Sequence, residues 1–291
     1  MMGSGRDARE VPSERTPAAP EQPAHAASRA LGSATIVPME RLLTLVINLD
    51  RAVERRARIA ASLLQLGLSW TRLPAVDARQ LSVAQRAALD TGAYQRKHGM
   101  TPLDGELGCY LSHVEAMERF LASDAEFALI LEDDVLPGGP LTAVLQALMA
   151  HPQRWDMVKL SAVHSGTPVP VLRLTQTYRL AVMLSRCTGS SAYLINRRAA
   201  AAYRDGLLPM SLPYDHVFDQ GWRFALKVRL VTPPPCTHDE GIASTIVSAP
   251  GSPPRKFHWT RRWSTYGYRI GNEWRRLLYG LSATWHERRR S

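Results

Sequence analysis

Apolar positions along this chain change rhythm several times, and each change marks an element. Residues 1–39 have no rhythm; they are rich in Ala, Pro, Ser, Glu and Arg and read as a disordered extension. Then "RLLTLVINLD" (41–50) packs Leu42, Leu43, Leu45, Val46, Ile47 and Leu49 into one short run, as a strand buried on both faces does. Asp50 stands where a helix N-cap would. Val53, Ala57, Ala60 and Leu64 follow at helical spacing, and Gly67 is the stop. "SWTRLPAV" (69–76) reads as the next strand. A β-α-β start predicts parallel pairing, because parallel strands need a crossover between them.

The alternation continues. "LSVAQRAAL" carries a capping box, Ser82 with Gln85. A longer helix runs through 104–123, with Leu107, Leu111, Val114, Met117 and Leu121 on one face. "FALIL" (127–131) is a buried strand, 142–150 a helix and 156–160 a strand. Residues 168–195 hold strand-like pieces with a hairpin among them, 197–207 and 214–226 are helical, and "KVRLV" (227–231) is a last strand before "TPPP". The fold class is α/β, with a mostly parallel central sheet flanked by helices.

Composition changes the picture in two places. The formal net charge is +10, but residues 255–291 carry ten Lys/Arg against two acids, so basicity belongs to the C-terminal segment. Three dispersed cysteines without a CxxC pair argue against a disulfide framework or a zinc site, which suggests a reducing, cytoplasmic setting. No signal-peptide core and no run of about 18 apolar residues occurs, so neither export nor a membrane span is expected. The expected organisation is an extension over 1–39, a catalytic-type domain over 40–250 and a basic, Trp-rich segment over 251–291.

Four constellations carry candidate chemistry. Glu132, Asp133 and Asp134 follow "FALIL" directly, at the carboxyl end of a strand, where ligand sites of open α/β sheets lie. Adjacent carboxylates there become favourable when Mg²⁺ or Mn²⁺ neutralises them. The alternative is an acidic turn in solvent. In "DGELGCYLSH" (104–113), Glu106 and His113 fall two turns apart on one helix face, and Gly105 and Gly108 suggest close backbone approach. A capped helix with one satisfied interior His is the plainer reading. Asn48 ends the first strand, and Arg51, Arg55 and Arg56 follow with phosphate-matching guanidinium groups, or as a solvated basic face. Asp215 in "LPYDH", beside His216, reads as a general base or as a helix cap.

Together these stretches resemble glycosyltransferase family 25, the lipopolysaccharide-type β-galactosyltransferases and their collagen-modifying relatives. The resemblance runs in order through "VINLDRAVERR", "LPAVDAR", "GELGCYLSH", "LILEDDV", "GSSAYLINRRAA", "LPYDH" and "STI". It implies a GT-A-like fold, a UDP-sugar donor (usually UDP-galactose), an Mn²⁺ or Mg²⁺ ion and inversion at the anomeric carbon. Carried over, Glu132 and Asp134 hold the metal, Asp133 assists at the donor diphosphate, and Asn48 and Arg51 meet the uridine or diphosphate. Asp77 lies near the base or ribose, Glu106 and His113 line the site, Ser190 keeps a hydroxyl where relatives often have Thr, and Asp215 is the base. Met117 departs from the family, where many relatives have Trp.

The resemblance implies a glycan or glycolipid acceptor, such as lipopolysaccharide or lipooligosaccharide of the cell envelope. Ten cations interleaved with Trp259, Trp263, Trp274 and Trp285 suit peripheral contact with an anionic membrane through 255–290, at its cytoplasmic face. A C-terminal helix packed through its Trp residues is the alternative; no nucleic acid is expected, since no recognised motif accompanies the charge. The rival function is a non-catalytic basic membrane- or nucleic-acid-binding protein on a decayed transferase fold.

Overall fold

The computed structural model of the chain describes residues 39–238 and 255–289. The expected extension (but for Met39), the "STI" motif and the expected boundary at 250 lie outside them. The described elements are β1 (Leu42–Asn48), α1 (Val53–Gln65), β2 (Thr71–Pro74), α2 (Val83–Ala87), α3 (Thr91–His98), α4 (Asp104–Leu121), β3 (Phe127–Glu132), β4 (Val135–Pro137), α5 (Leu141–Met149), β5 (Met157–Lys159), β6 (Pro168–Arg173), β7 (Arg179–Met183), β8 (Ala192–Asn196), α6 (Arg197–Gly206), α7 (Tyr214–Val217), α8 (Gly221–Phe224), β9 (Val228–Thr232), β10 (Cys236–His238) and α9 (Trp263–Arg288).

The central sheet has eight strands in the order β2-β1-β3-β8-β5-β9-β7-β6, and β4 pairs separately with β10. The β-α-β start pairs in parallel, as its crossover helix requires. β8 enters reversed between β3 and β5, and β7 is reversed beside β9, while the other six strands run one way. This is the expected α/β class, a large mixed sheet with helices on both sides.

Alternation along the strands builds the two core layers. Leu45 and Ile47 of β1, with Ala128 and Ile130 of β3, face one side, under Tyr110, Met117 and Phe120 of α4. Val46, Leu129 and Leu131 face the other, under Ile59 and Leu63 of α1 and Val144 and Leu148 of α5. Each such fully buried aliphatic side chain contributes roughly 1.5–3 kcal/mol. Both faces being covered explains why β1 and β3 read as continuous apolar runs.

Local signals hold to different degrees. The Ser82–Gln85 capping box forms in both directions. Asp50 does not cap α1: the N-cap is Ala52, and the Asp50 carboxylate pairs with Arg72 instead. The helix expected over 214–226 is two single turns, α7 and α8, because Asp219 between them turns inward to meet Arg276 of α9 at 2.9 and 3.1 Å. α3 and the short strands β4 and β10 lack a sequence signal strong enough to predict.

Candidate functional site

β1 and β3 lie in parallel register with Ile47 opposite Glu132, so Asn48 and Asp133 leave the sheet side by side. The Asn48 side chain is buried. Its amide nitrogen donates to Asp133 Oδ2 at 2.6 Å and to the Ala52 carbonyl at 3.0 Å, and its oxygen accepts from Arg72 Nε at 3.0 Å. Arg55 NH1, from the first turn of α1, reaches Asp133 Oδ1 at 3.3 Å. Asp133 is thus held from two sides, by a buried amide and by a guanidinium.

Glu132 takes different partners. Its Oε1 accepts from Ser190 Oγ at 3.2 Å and lies 3.3 Å from His113 Nε2. Burial pushes the Glu132 carboxyl up, but the His113 and Ser190 contacts, with the nearby His238, hold it below its ordinary value. His113 itself is buried: its Nδ1 lies 2.9 Å from the Tyr193 hydroxyl, and its ring stacks on Tyr214 at 4.1 Å. Tyr193 and Tyr214 close the network, hydroxyl to hydroxyl, at 3.0 Å.

Asp134 is the exception. Burial, then the charges of Glu132 and Asp133, push its carboxyl up to about 7, against the relief from Arg55. Its Oδ1 is buried with no hydrogen-bond partner among the described residues, and so is His238 Nε2. β10 pairs with β4 in a register that sets His238 opposite Val135, the residue after Asp134. Asp134 sits in the turn between β3 and β4 and lines the cleft described below, and a carboxylate oxygen without a partner there is the donor type a hard divalent cation takes.

A second cluster, Cys109, His113 and Glu132, brings its ligand-type atoms within 4.8 Å of one another. It suits a metal less well. Both His113 nitrogens already have partners, and burial, reinforced by Glu132, keeps the Cys109 thiol protonated.

These residues border a cleft enclosing about 730 Å³, open mouth included, a size suited to a small-molecule ligand. Arg51, Arg55, Gly105, His113 and the whole Glu132–Asp134 segment line it. The cleft adjoins a second depression lined by Asp77, Arg79 and Gln85; Arg51 borders both and forms an ion pair with Asp77. Gly108 explains part of the shape: a Cβ there would sit 2.6 Å from the Val76 carbonyl, so its absence lets α4 press against the wall segment 75–78.

The remaining expected site residues divide. Ser190 joins the cluster through Glu132. Asp215 accepts a 3.4 Å hydrogen bond from the backbone of Gly189, next to Ser190, and lies 4.0 Å from His216 Nε2. It does not cap α7, whose N-cap is Pro213. Glu106 is elsewhere: it accepts from the Leu103 backbone, the Tyr94 hydroxyl and Arg255, and is not among the cleft-lining residues. Arg72, Tyr193, Tyr214 and His238 are the participants that sequence reasoning missed. No local pattern marks them, since each joins through pairing between distant segments.

Glycosyltransferase family 25 (LPS biosynthesis protein) matches residues 42–218. Among curated proteins, the chain is 38% identical over 96 residues to a glycosyltransferase 25 family member of Aedes aegypti, covering 31% of this chain and 16% of that one. It is 33% identical over 94 residues to human procollagen galactosyltransferase 2, covering 31% and 15%. It is likewise 33% identical over 123 residues to a probable inactive glycosyltransferase 25 family member 3 of Rattus norvegicus, covering 40% and 22%. The matched stretches cover less than a quarter of the length of these relatives.

Proposed function

The chain belongs to glycosyltransferase family 25, and on that premise we propose that it is an inverting, metal-dependent sugar transferase. In this reading it moves galactose from UDP-galactose to a hydroxyl of a glycan acceptor such as lipopolysaccharide or lipooligosaccharide, at the cytoplasmic face of the cell envelope. The observation that carries the reading is the division of labour among three adjacent carboxylates. Glu132 and Asp133 accept hydrogen bonds from protein groups, while Asp134 Oδ1, at the wall of an open cleft, is buried with no partner among the described residues.

Asp134 and Glu132, both at the cleft wall, would hold an Mn²⁺ or Mg²⁺ ion. Such an ion supplies Lewis-acid stabilisation of charge on a departing diphosphate. The protein's own groups do the rest. Arg51 and Arg55 stand at the cleft wall where anionic phosphate oxygens would lie, and Asn48 fixes the strand exit that carries them. Asp77, paired with Arg51, would lie near the base or ribose. Ser190 and His113 orient Glu132. Asp215, held through the Gly189 backbone, would accept the proton of the attacking acceptor hydroxyl.

The name of the rat relative makes a non-catalytic role the reading to exclude. A screen of UDP-sugars with Mn²⁺, scored by UDP release, separates the two. Release with one donor, lost in Asp134→Asn, supports the transferase; no release with any UDP-sugar in the folded protein sinks it.

A further inference from the structure

Helix α9 is turned inside out. Its buried positions are Thr265, Asn272, Arg276, Gly280 and Glu287, a polar and charged set. Arg276 forms a two-pronged ion pair with buried Asp219, and Glu287 meets Arg229 at 3.0 Å and Arg154 at 2.7 Å. Gly280 brings the helix onto β7, where a Cβ would sit 2.9 Å from the Met183 carbonyl. Thr265 bonds the Arg96 carbonyl at the other end. The helix is therefore fixed along its length by contacts that define one orientation.

That orientation points the apolar residues outward. Of the 13 large apolar side chains exposed among the described residues, seven fall between Trp259 and Trp285. Trp263, Ile270, Trp274, Leu278, Leu281 and Trp285 are each at least 50% exposed. Projected at 3.6 residues per turn they share an arc of about 80°, opposite the buried set, and the stripe is about 33 Å long. An apolar stripe of that extent on a fixed helix marks an interaction surface.

Charge identifies the occupant. Arg261, Arg275, Arg288 and Arg289 are exposed around the stripe, and the Arg289 guanidinium lies 3.5 Å over the Trp285 ring. The exposed acid on the helix, Glu273, faces Arg276 at 3.8 Å. A second copy of this helix would set like charges against each other, whereas a layer of lipid phosphates would neutralise them. No helix among the described residues is long and apolar enough to cross a membrane, so the helix would lie flat.

We propose that α9 is the docking surface for an anionic phospholipid bilayer, with Trp263, Trp274 and Trp285 at the interfacial layer and Arg275, Arg288 and Arg289 on the phosphates. The inference does not rest on the transferase reading. The test is co-flotation of the full chain with phosphatidylcholine vesicles with and without about 30 mole per cent phosphatidylglycerol. Wild type is expected to float with the anionic vesicles and to be released by high salt. The Trp263→Ser/Trp274→Ser/Trp285→Ser variant, whose mutated side chains are exposed and whose melting curve should be unchanged, is expected to partition at least about tenfold more weakly. Absence of wild-type flotation, or equal flotation of the variant, overturns the proposal. So does light scattering that finds a dimer broken by the same substitutions without lipid binding, which would assign the stripe to a second copy.

Discussion

The Asn48 amide donates a 2.6 Å hydrogen bond to Asp133 Oδ2, joining the exits of two neighbouring parallel strands. This bond decides which member of the acidic segment is held by the fold and which is left for a ligand. Asn48→Ala removes it together with the contacts to Ala52 and Arg72. The expected loss is about 2 kcal/mol of stability, from buried groups left unpaired. UDP release should fall more than about tenfold through misplacement of the segment. Urea melts and turnover, measured on the same preparation, check both.

Asp134→Asn should act in the opposite direction on stability. A carboxyl whose folded pKa lies near 7, against an ordinary 3.8, destabilises the fold wherever it must ionise. The cost is absent below pH 3.8, grows between 3.8 and 7, and is constant above. At pH 8 without metal, the variant should therefore be more stable than wild type by about 2 kcal/mol or more. It should also lose any stabilisation by Mn²⁺, which wild type should show. Thermal melts with and without Mn²⁺ at pH 5 and pH 8 read out both effects.

Acid sensitivity should trace in part to His98. Burial, reinforced by His216, lowers its pKa from 6.5 to about 4. Below pH 6.5 the unfolded chain binds a proton that the folded chain refuses, so stability falls as pH drops from 6.5 towards 4 and the contribution levels off below. The loss is about 3 kcal/mol at most. His98→Phe keeps a ring against Tyr94 and His216 and cannot protonate, so the acid limb of its stability profile should be flatter. A limb as steep as wild type would remove His98 from the account.

The Arg276–Asp219 pair predicts an asymmetry. Arg276→Met leaves Asp219, almost fully buried, without its counter-charge and should cost about 3–5 kcal/mol. The double variant Arg276→Met/Asp219→Leu should recover most of that loss. Denaturant midpoints of the two variants against wild type measure the difference.

The legible parts of this chain were those that depend on neighbours in sequence. The runs ending at Asn48 and Glu132 announce strands buried on both faces, and Ser82 with Gln85 announces a cap. The acidic segment was legible as a candidate site through its position at a strand end. What it would do with three carboxylates was not, because Asn48, Arg55, Ser190 and His113 reach it from separate elements. Glu106 misled because helical spacing puts it in line with His113, while the capping contact with Leu103 turns it away. His238 was invisible because its place depends on β10 finding β4, far back in the chain. The tail's tryptophans read equally as a packing face or a membrane face. What decided their direction was the inward pull of Arg276 and Glu287, each satisfied by a partner more than 50 positions away.

The reversed entry of β8 has a consequence in time. A strand inserted backwards sets its first residues beside the last residues of its neighbour, which is how Ser190 meets Glu132 across 58 positions of sequence. Asn48 meets Asp133 across 85. The cleft's lining runs only from Ile47 to Asp134, but Glu132 takes its hydroxyl partner from the segment leading into β8, so that carboxylate is set in place only once the later half of the sheet has joined the earlier half. A fragment ending before β8 should therefore keep the wall of the cleft and lose the Ser190 anchor of Glu132.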